Sequence, residues 1–201
     1  DGFGEQVRAE AEIAVLSADL ILWVVDAHEG LTALDQELSV FLRRSAVPVL
    51  VVANKVDVEK HEDLVADFAG LGFGNPLPVS AEHGRHVSEL LDLVDQRLAG
   101  DFPGVPEEEV EGDEASRLCI AVVGQPYVGK SSLINAILED ARTIVSEVAG
   151  TTRDAVDVPY ERGGRGYTLI DTAGMRRKTK RDSAVEVFSV MRAERSIRRA
   201  D

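Results

Sequence analysis

The octet Gly124-Gln125-Pro126-Tyr127-Val128-Gly129-Lys130-Ser131 directly follows the apolar run Cys119-Ile120-Ala121-Val122-Val123. A buried strand that feeds a G-x-x-x-x-G-K-S loop and then a helix leaves few folds open, because that order builds a phosphate cradle at a strand end. The backbone N–H groups of Gly124, Gln125, Tyr127, Val128 and Gly129 are expected to face phosphate oxygens. The helix starting near Lys130, with Ser131 and Ser132 in its first turn, adds its positive end. Lys130 would reach the β- and γ-phosphates, and the Ser131 hydroxyl would meet magnesium. A nucleoside triphosphate site is therefore predicted.

A second apolar run, Val49-Leu50-Val51-Val52-Ala53, ends in Asn54-Lys55-Val56-Asp57. Guanine presents two adjacent donors, N1–H and the 2-amino group, and a carboxylate such as Asp57 accepts both. Adenine has a bare acceptor at the matching place, so it would leave the buried carboxylate unmet. Asn54 is expected to tie this loop to the phosphate loop, with the Lys55 stem over the purine face. In isolation N-K-x-D is as often a polar turn; beside a phosphate loop it predicts guanine.

Tyr167-Thr168-Leu169-Ile170 runs into Asp171-Thr172-Ala173-Gly174. An acid there would hold the magnesium shell, and Gly174 lets its N–H approach a γ-phosphate. In Gly150-Thr151-Thr152-Arg153-Asp154 a threonine hydroxyl is a candidate magnesium ligand, although Gly-Thr-Thr also suits a plain loop. Val79-Ser80-Ala81-Glu82 would bring a backbone N–H to guanine O6, or Ser80 would cap a helix.

These motifs resemble the translation-factor-related GTPases of the TrmE–Era–EngA group, and within it the tandem EngA (Der) branch. The resemblance covers nearly the whole chain. It implies that residues 1–99 are similar to the later part of a first G domain, 100–116 to an interdomain linker, and 117–201 to the early part of a second. The implied fold is α/β: a three-layer, Ras-like G domain with a phosphate loop and a mostly parallel sheet. The implied activity is hydrolysis of GTP to GDP with Mg2+, as a switch in assembly of the large ribosomal subunit. Lys130, Thr152 and Gly174 take the catalytic roles, and Ser131, Thr152 and Asp171 the metal. Met175 follows the D-x-x-G element where many GTPases carry a water-orienting glutamine. Members of the group use potassium through a phosphate-loop asparagine; Tyr127 stands there instead and supplies no amide carbonyl, so potassium dependence is not expected.

An echo fits the tandem reading. Ile13-Ala14-Val15-Leu16-Ser17-Ala18-Asp19 precedes a strand near the start, and the last residues end on a similar Ala200-Asp201. Without an initial methionine, the chain is expected to be an internal fragment about one repeat long. One part then carries the base motifs and the other the phosphate motifs. They would either stay incomplete halves or assemble as one circularly permuted G domain, with 118–123 pairing beside 20–25. Two other function classes remain open: a truly permuted ribosome-assembly GTPase, and a GTP-binding scaffold with negligible hydrolysis.

The net charge of −14 argues against attraction to RNA over the whole surface. Residues 101–114 hold seven acids and no base, the pattern of a solvated linker. Arg176, Arg177, Lys178, Lys180 and Arg181, in contrast, form a basic stretch after the D-x-x-G element, either a solvated loop or a ribosomal RNA contact. No apolar run approaches the roughly 18 residues of a membrane span, so no membrane partner and a cytoplasmic location are expected. The one cysteine, Cys119, can form no intrachain disulfide and is read as core. Helices are predicted over 5–16, 32–43, 64–69, 87–98 and 131–138. Trp23 is assigned to the core, and the four histidines to exposed positions without metal-ligand spacing.

Overall fold

The computed structural model describes residues 2–101, 117–141 and 157–172. Six strands form one sheet in the order β3-β2-β1-β4-β6-β5. They are β1 (Leu20–Asp26), β2 (Val49–Asn54), β3 (Leu77–Pro78), β4 (Leu118–Val123), β5 (Asp157–Arg162) and β6 (Arg165–Asp171). All neighbours run parallel except β5 and β6. The expected mostly parallel sheet is present, and so is the pairing of 118–123 with β1: Leu20 faces Ile120 and Trp23 faces Val123. The part carrying Asn54-Lys55-Val56-Asp57 and the part carrying the glycine-rich loop therefore share one sheet.

Near-continuous apolar strands are what a sheet covered on both faces requires. In β1, Ile21, Trp23 and Val25 join one core cluster while Leu20, Leu22 and Val24 join the other. Helices α1 (Gly2–Ser17) and α2 (Ala33–Arg43) supply Val7, Ala11, Ala14, Leu38 and Leu42 to the first. Helices α3 (Val87–Asp101) and α4 (Lys130–Asp140) supply Leu90, Leu91, Val94, Leu133 and Ile137 to the second. Trp23 is fully buried, edge-on to Phe73 at 5.7 Å, and Cys119 is buried in β4.

Two elements differ from expectation. The segment expected as a helix over 64–69 is a 3₁₀ helix, Glu59–Leu71. Its buried residues Val65, Phe68 and Leu71 recur every third position, which lines up on one face at three residues per turn. Strand β5 was not anticipated. It forms a hairpin with β6 through Gly163 and Gly164, both at positive φ (58° and 77°), the conformation that matches a two-residue turn to strand twist. Pro159 fits because β5 lies at the sheet edge.

The hairpin is pinned to α3. Arg162 pairs with Asp92 at 2.7 Å and with Asp95, and Tyr167 Oη donates to Asp95 at 2.5 Å. Deeper in the sheet, the Cys119 N–H donates to Asp19 Oδ2 and the Asp19 N–H to the Cys119 carbonyl, both at 2.8 Å. Among the described residues no helix is long and apolar enough to cross a membrane.

Candidate functional site

The candidate site lies beyond the carboxyl ends of β1, β2, β4 and β6, where ligands sit in open parallel sheets. Strand β4 leads into the phosphate loop, and α4 begins at Lys130 with Gly129 as its N-cap at φ 97°. Glycine is required at Gly129 twice over: a side chain would be strained at that φ and its Cβ would collide with Asn54 Nδ2. Gly124 is equally constrained, since a Cβ there would strike the Val24 carbonyl of β1. Tyr127 takes φ 67° in the same loop and is 90% exposed. Val128 is buried, whereas Ser131 and Ser132 are exposed on the first turn of α4.

Asn54 joins three segments. It is 2% exposed; its Nδ2 donates to the Val128 carbonyl at 2.9 Å, and its Oδ1 accepts from the Ala81 N–H at 3.0 Å. The base loop, the phosphate loop and the segment after β3 are thus held by one buried amide. The Ala81 N–H, which belongs to the segment expected near guanine O6, donates here to Asn54 Oδ1. Ser80 is not a cap for α3, which begins at Val87. Instead Ser80 Oγ donates to Asp57 Oδ1 at 2.7 Å and accepts from the His83 N–H at 3.2 Å. That contact orients the half-buried Asp57 carboxylate.

Lys55 sits at φ 70°, a strained conformation for a residue with a side chain. Its amine is held by Asp26 Oδ2 at 2.5 Å. Burial pushes the Asp26 carboxyl up, but the Lys55 hydrogen bond, the N–H groups of His28 and Glu29 and the Lys55 charge outweigh it. The carboxyl is held below its usual range. Asp26 was not singled out from sequence, because nothing local links the end of β1 to Lys55; the parallel register places Asp26 opposite Asn54.

Lys130 Nζ donates to the carbonyls of Gly124 (2.5 Å) and Gln125 (3.3 Å) and pairs with Glu10 of α1 at 3.3 Å. The Gln125 side chain turns away from the loop: Nε2 donates to Thr32 Oγ1 at 2.7 Å and Asp35 Oδ1 at 3.0 Å. Thr32 and Asp35 form the capping box of α2, so that helix start also anchors the phosphate loop. The Thr32-x-x-Asp35 spacing is a local capping signal that was not singled out from sequence, and nothing local marks Gln125 as its partner.

Asp171 closes β6 in register with Val122, and Thr172 Oγ1 donates to the Val122 carbonyl at 2.8 Å. This brings Asp171 to the same sheet end as Ser131. A hydroxyl, a carboxylate and a lysine beside a helix N-terminus suit a magnesium-bound phosphate chain. Thr152, Gly174 and the basic residues Arg176, Arg177, Lys178, Lys180 and Arg181 lie outside the described residues, as does the acidic stretch after Asp101. The histidine expectation needs correcting for two residues. His28 and His83 are exposed, but His61 is half-buried with its ring edge-on to His28 at 4.7 Å. His86 is half-buried with Nδ1 2.9 Å from the Pro78 carbonyl. Both are drawn in by the packing of the segments that follow β2 and β3.

Comparison with known proteins gives the family of the chain. The family model described as "50S ribosome-binding GTPase" matches residues 2–55 and 119–201. The GTPase Der of Akkermansia muciniphila is 55% identical over 100% of this chain, and that of Bacillus cytotoxicus is 48% identical over 99%. In each case the chain spans 44% of the relative's length. The crystal structure of YjeQ from Thermotoga maritima overlays 77% of this chain and 48% of its own, with a TM-score of 0.45 and 18% identity. With two-thirds of its length matched by one model, the chain belongs to the 50S ribosome-binding GTPase family.

Proposed function

We propose that this chain binds guanine nucleotide at one site built from both of its parts and hydrolyses GTP as a switch in large-subunit assembly. The observation that carries the reading is the Asn54 Nδ2–Val128 carbonyl hydrogen bond, which locks a guanine-type loop onto a phosphate loop. Residues 1–99 then represent the later part of one G domain, 100–116 a linker, and 117–201 the early part of a second, the two parts completing each other. Asp57, with Asn54, Lys55, Ser80 and Ala81 around it, reads the base. Lys130, with the amides of Gly124, Gln125, Tyr127, Val128 and Gly129 and the first turn at Ser131 and Ser132, holds the phosphates. Ser131, Asp171 and Thr152 would hold Mg2+, which supplies charge neutralisation at the β/γ oxygens. Lys130 and the Gly174 N–H stabilise charge developing on the γ-phosphoryl group as water attacks in line. Arg176, Arg177, Lys178, Lys180 and Arg181 form a nucleotide-responsive contact with ribosomal RNA. The protein acts in the cytoplasm.

Titration of the chain with GTP tests this. One equivalent should bind, ATP should not compete, and Lys130→Ala should weaken binding; no binding, or equal competition by ATP, would sink the reading. The parallel β1–β4 pairing equally favours a second reading, a GTPase permuted throughout. A further phosphate loop encoded upstream of residue 1 would exclude it.

A further inference from the structure

Glu10 is a charged residue on the apolar face of α1, between the buried residues Val7, Ala11 and Ala14. It is 1% exposed. Its Oε1 accepts from Gln6 Nε2 at 3.3 Å, and its Oε2 lies 3.3 Å from Lys130 Nζ. The Lys130 side chain is itself only 12% exposed. A carboxylate so buried is costly unless it keeps a counter-charge. The counter-charge it has is the amine that a phosphate loop presents to β- and γ-phosphates.

We propose that Glu10 is a specificity-determining residue that sets the site against the terminal phosphate and in favour of nucleoside diphosphate. The inference rests on the reading of Lys130 as a guanine-nucleotide ligand. A triphosphate that draws Lys130 onto its γ-oxygens strips Glu10 of its partner. It also sets a doubly charged phosphate near a desolvated carboxylate, where like charges repel far more than in water. A diphosphate makes no γ contact, so Lys130 keeps Glu10 while serving the β-phosphate. Because Glu10 and Lys130 come from different parts of the chain, 120 residues apart, the position of α1 sets the strength of this competition. Any partner that shifts α1 would change the balance between GDP and GTP.

The test is equilibrium titration of the chain and its Glu10→Gln variant with GDP and with a slowly hydrolysed GTP analogue, at fixed magnesium and salt. Removing the charge should tighten the triphosphate analogue roughly tenfold while GDP moves by less than about threefold. Equal shifts for both nucleotides, or none, would overturn the proposal. So would a fall in single-turnover hydrolysis with unchanged affinities, which would make Glu10 a catalytic carboxylate instead. If Glu10→Gln does not fold, Glu10→Asp carries the test: its shorter arm should give a smaller shift in the same ratio, and an unaltered ratio refutes the proposal. Failure of the unmodified chain to bind either nucleotide would remove the nucleotide site itself, a result distinct from an unaltered ratio.

Discussion

Asn54 Nδ2 donates to the main-chain carbonyl of Val128 at 2.9 Å, a buried contact between residues 74 positions apart. It passes from the end of β2 to the loop after β4, across the interposed β1. Asn54 has its other side-chain atom on the Ala81 N–H, so both of its functions act between loops. Replacement by alanine leaves a buried carbonyl and a buried N–H without partners. Asn54→Ala should cost about 2 kcal/mol in stability and lower GTP affinity at least tenfold. Denaturant unfolding and calorimetric titration measure the two effects; unchanged affinity would show that the loops need no tie.

The base preference should follow Asp57. Its Oδ1 is oriented by Ser80 Oγ at 2.7 Å. Asp57→Asn replaces one acceptor with a donor, which suits a purine carrying a carbonyl at C2. The variant should lose affinity for GTP by roughly a hundredfold and gain it for xanthosine triphosphate. Competition binding reports the exchange, and retention of guanine preference would remove Asp57 from the base-reading role.

At Gly129, alanine would have to occupy φ 97° and push into Asn54 Nδ2. The expected loss is about 1–3 kcal/mol from backbone strain, with the phosphate loop displaced and nucleotide binding reduced. Thermal melting with and without GTP distinguishes the two losses. A variant that melts like the parent and binds equally well would show that the approach of loop to loop is looser than the structure has it.

Acid should weaken the chain through Asp26. Its carboxyl is held below the ordinary range in the folded state, so folding binds fewer protons there than the unfolded chain does. The stabilisation is present above the unfolded carboxyl value, about 4, and is lost as pH falls through the lower folded value. Asp26→Asn should therefore be less stable at neutral pH and show a flatter stability profile below about pH 4. Urea unfolding across that range measures it, and parallel profiles would contradict the assignment.

Monovalent cations should matter little to hydrolysis. Tyr127 stands in the loop at φ 67°, 90% exposed, with a phenol where an amide carbonyl would be needed to hold potassium. Phosphate release should differ by less than about twofold between potassium and sodium, with magnesium and Lys130 left to stabilise the developing charge. A large enhancement by potassium alone would show that other oxygens complete such a site.

The strands other than β5, the phosphate loop and its helix, and the base loop were legible because each rests on local chemistry: apolar runs, a glycine-rich turn, a carboxylate at fixed spacing. The three-residue period of Val65, Phe68 and Leu71 and the paired glycines before Arg165 were equally local, although they pointed to a 3₁₀ helix and a hairpin less plainly. No local pattern paired Lys55 with Asp26, Gln125 with the α2 cap, Arg162 with α3, or Lys130 with Glu10. Those contacts join residues far apart in the chain. They exist because parallel pairing sets β2 beside β1 and β4 on its other side, while the β5–β6 hairpin packs on α3, so that distant segments come within reach of each other. Sequence determined which loop motifs and polar groups this protein carries at its strand ends; tertiary structure decided which of them restrain one another, since side-chain contact depends on the register of strands.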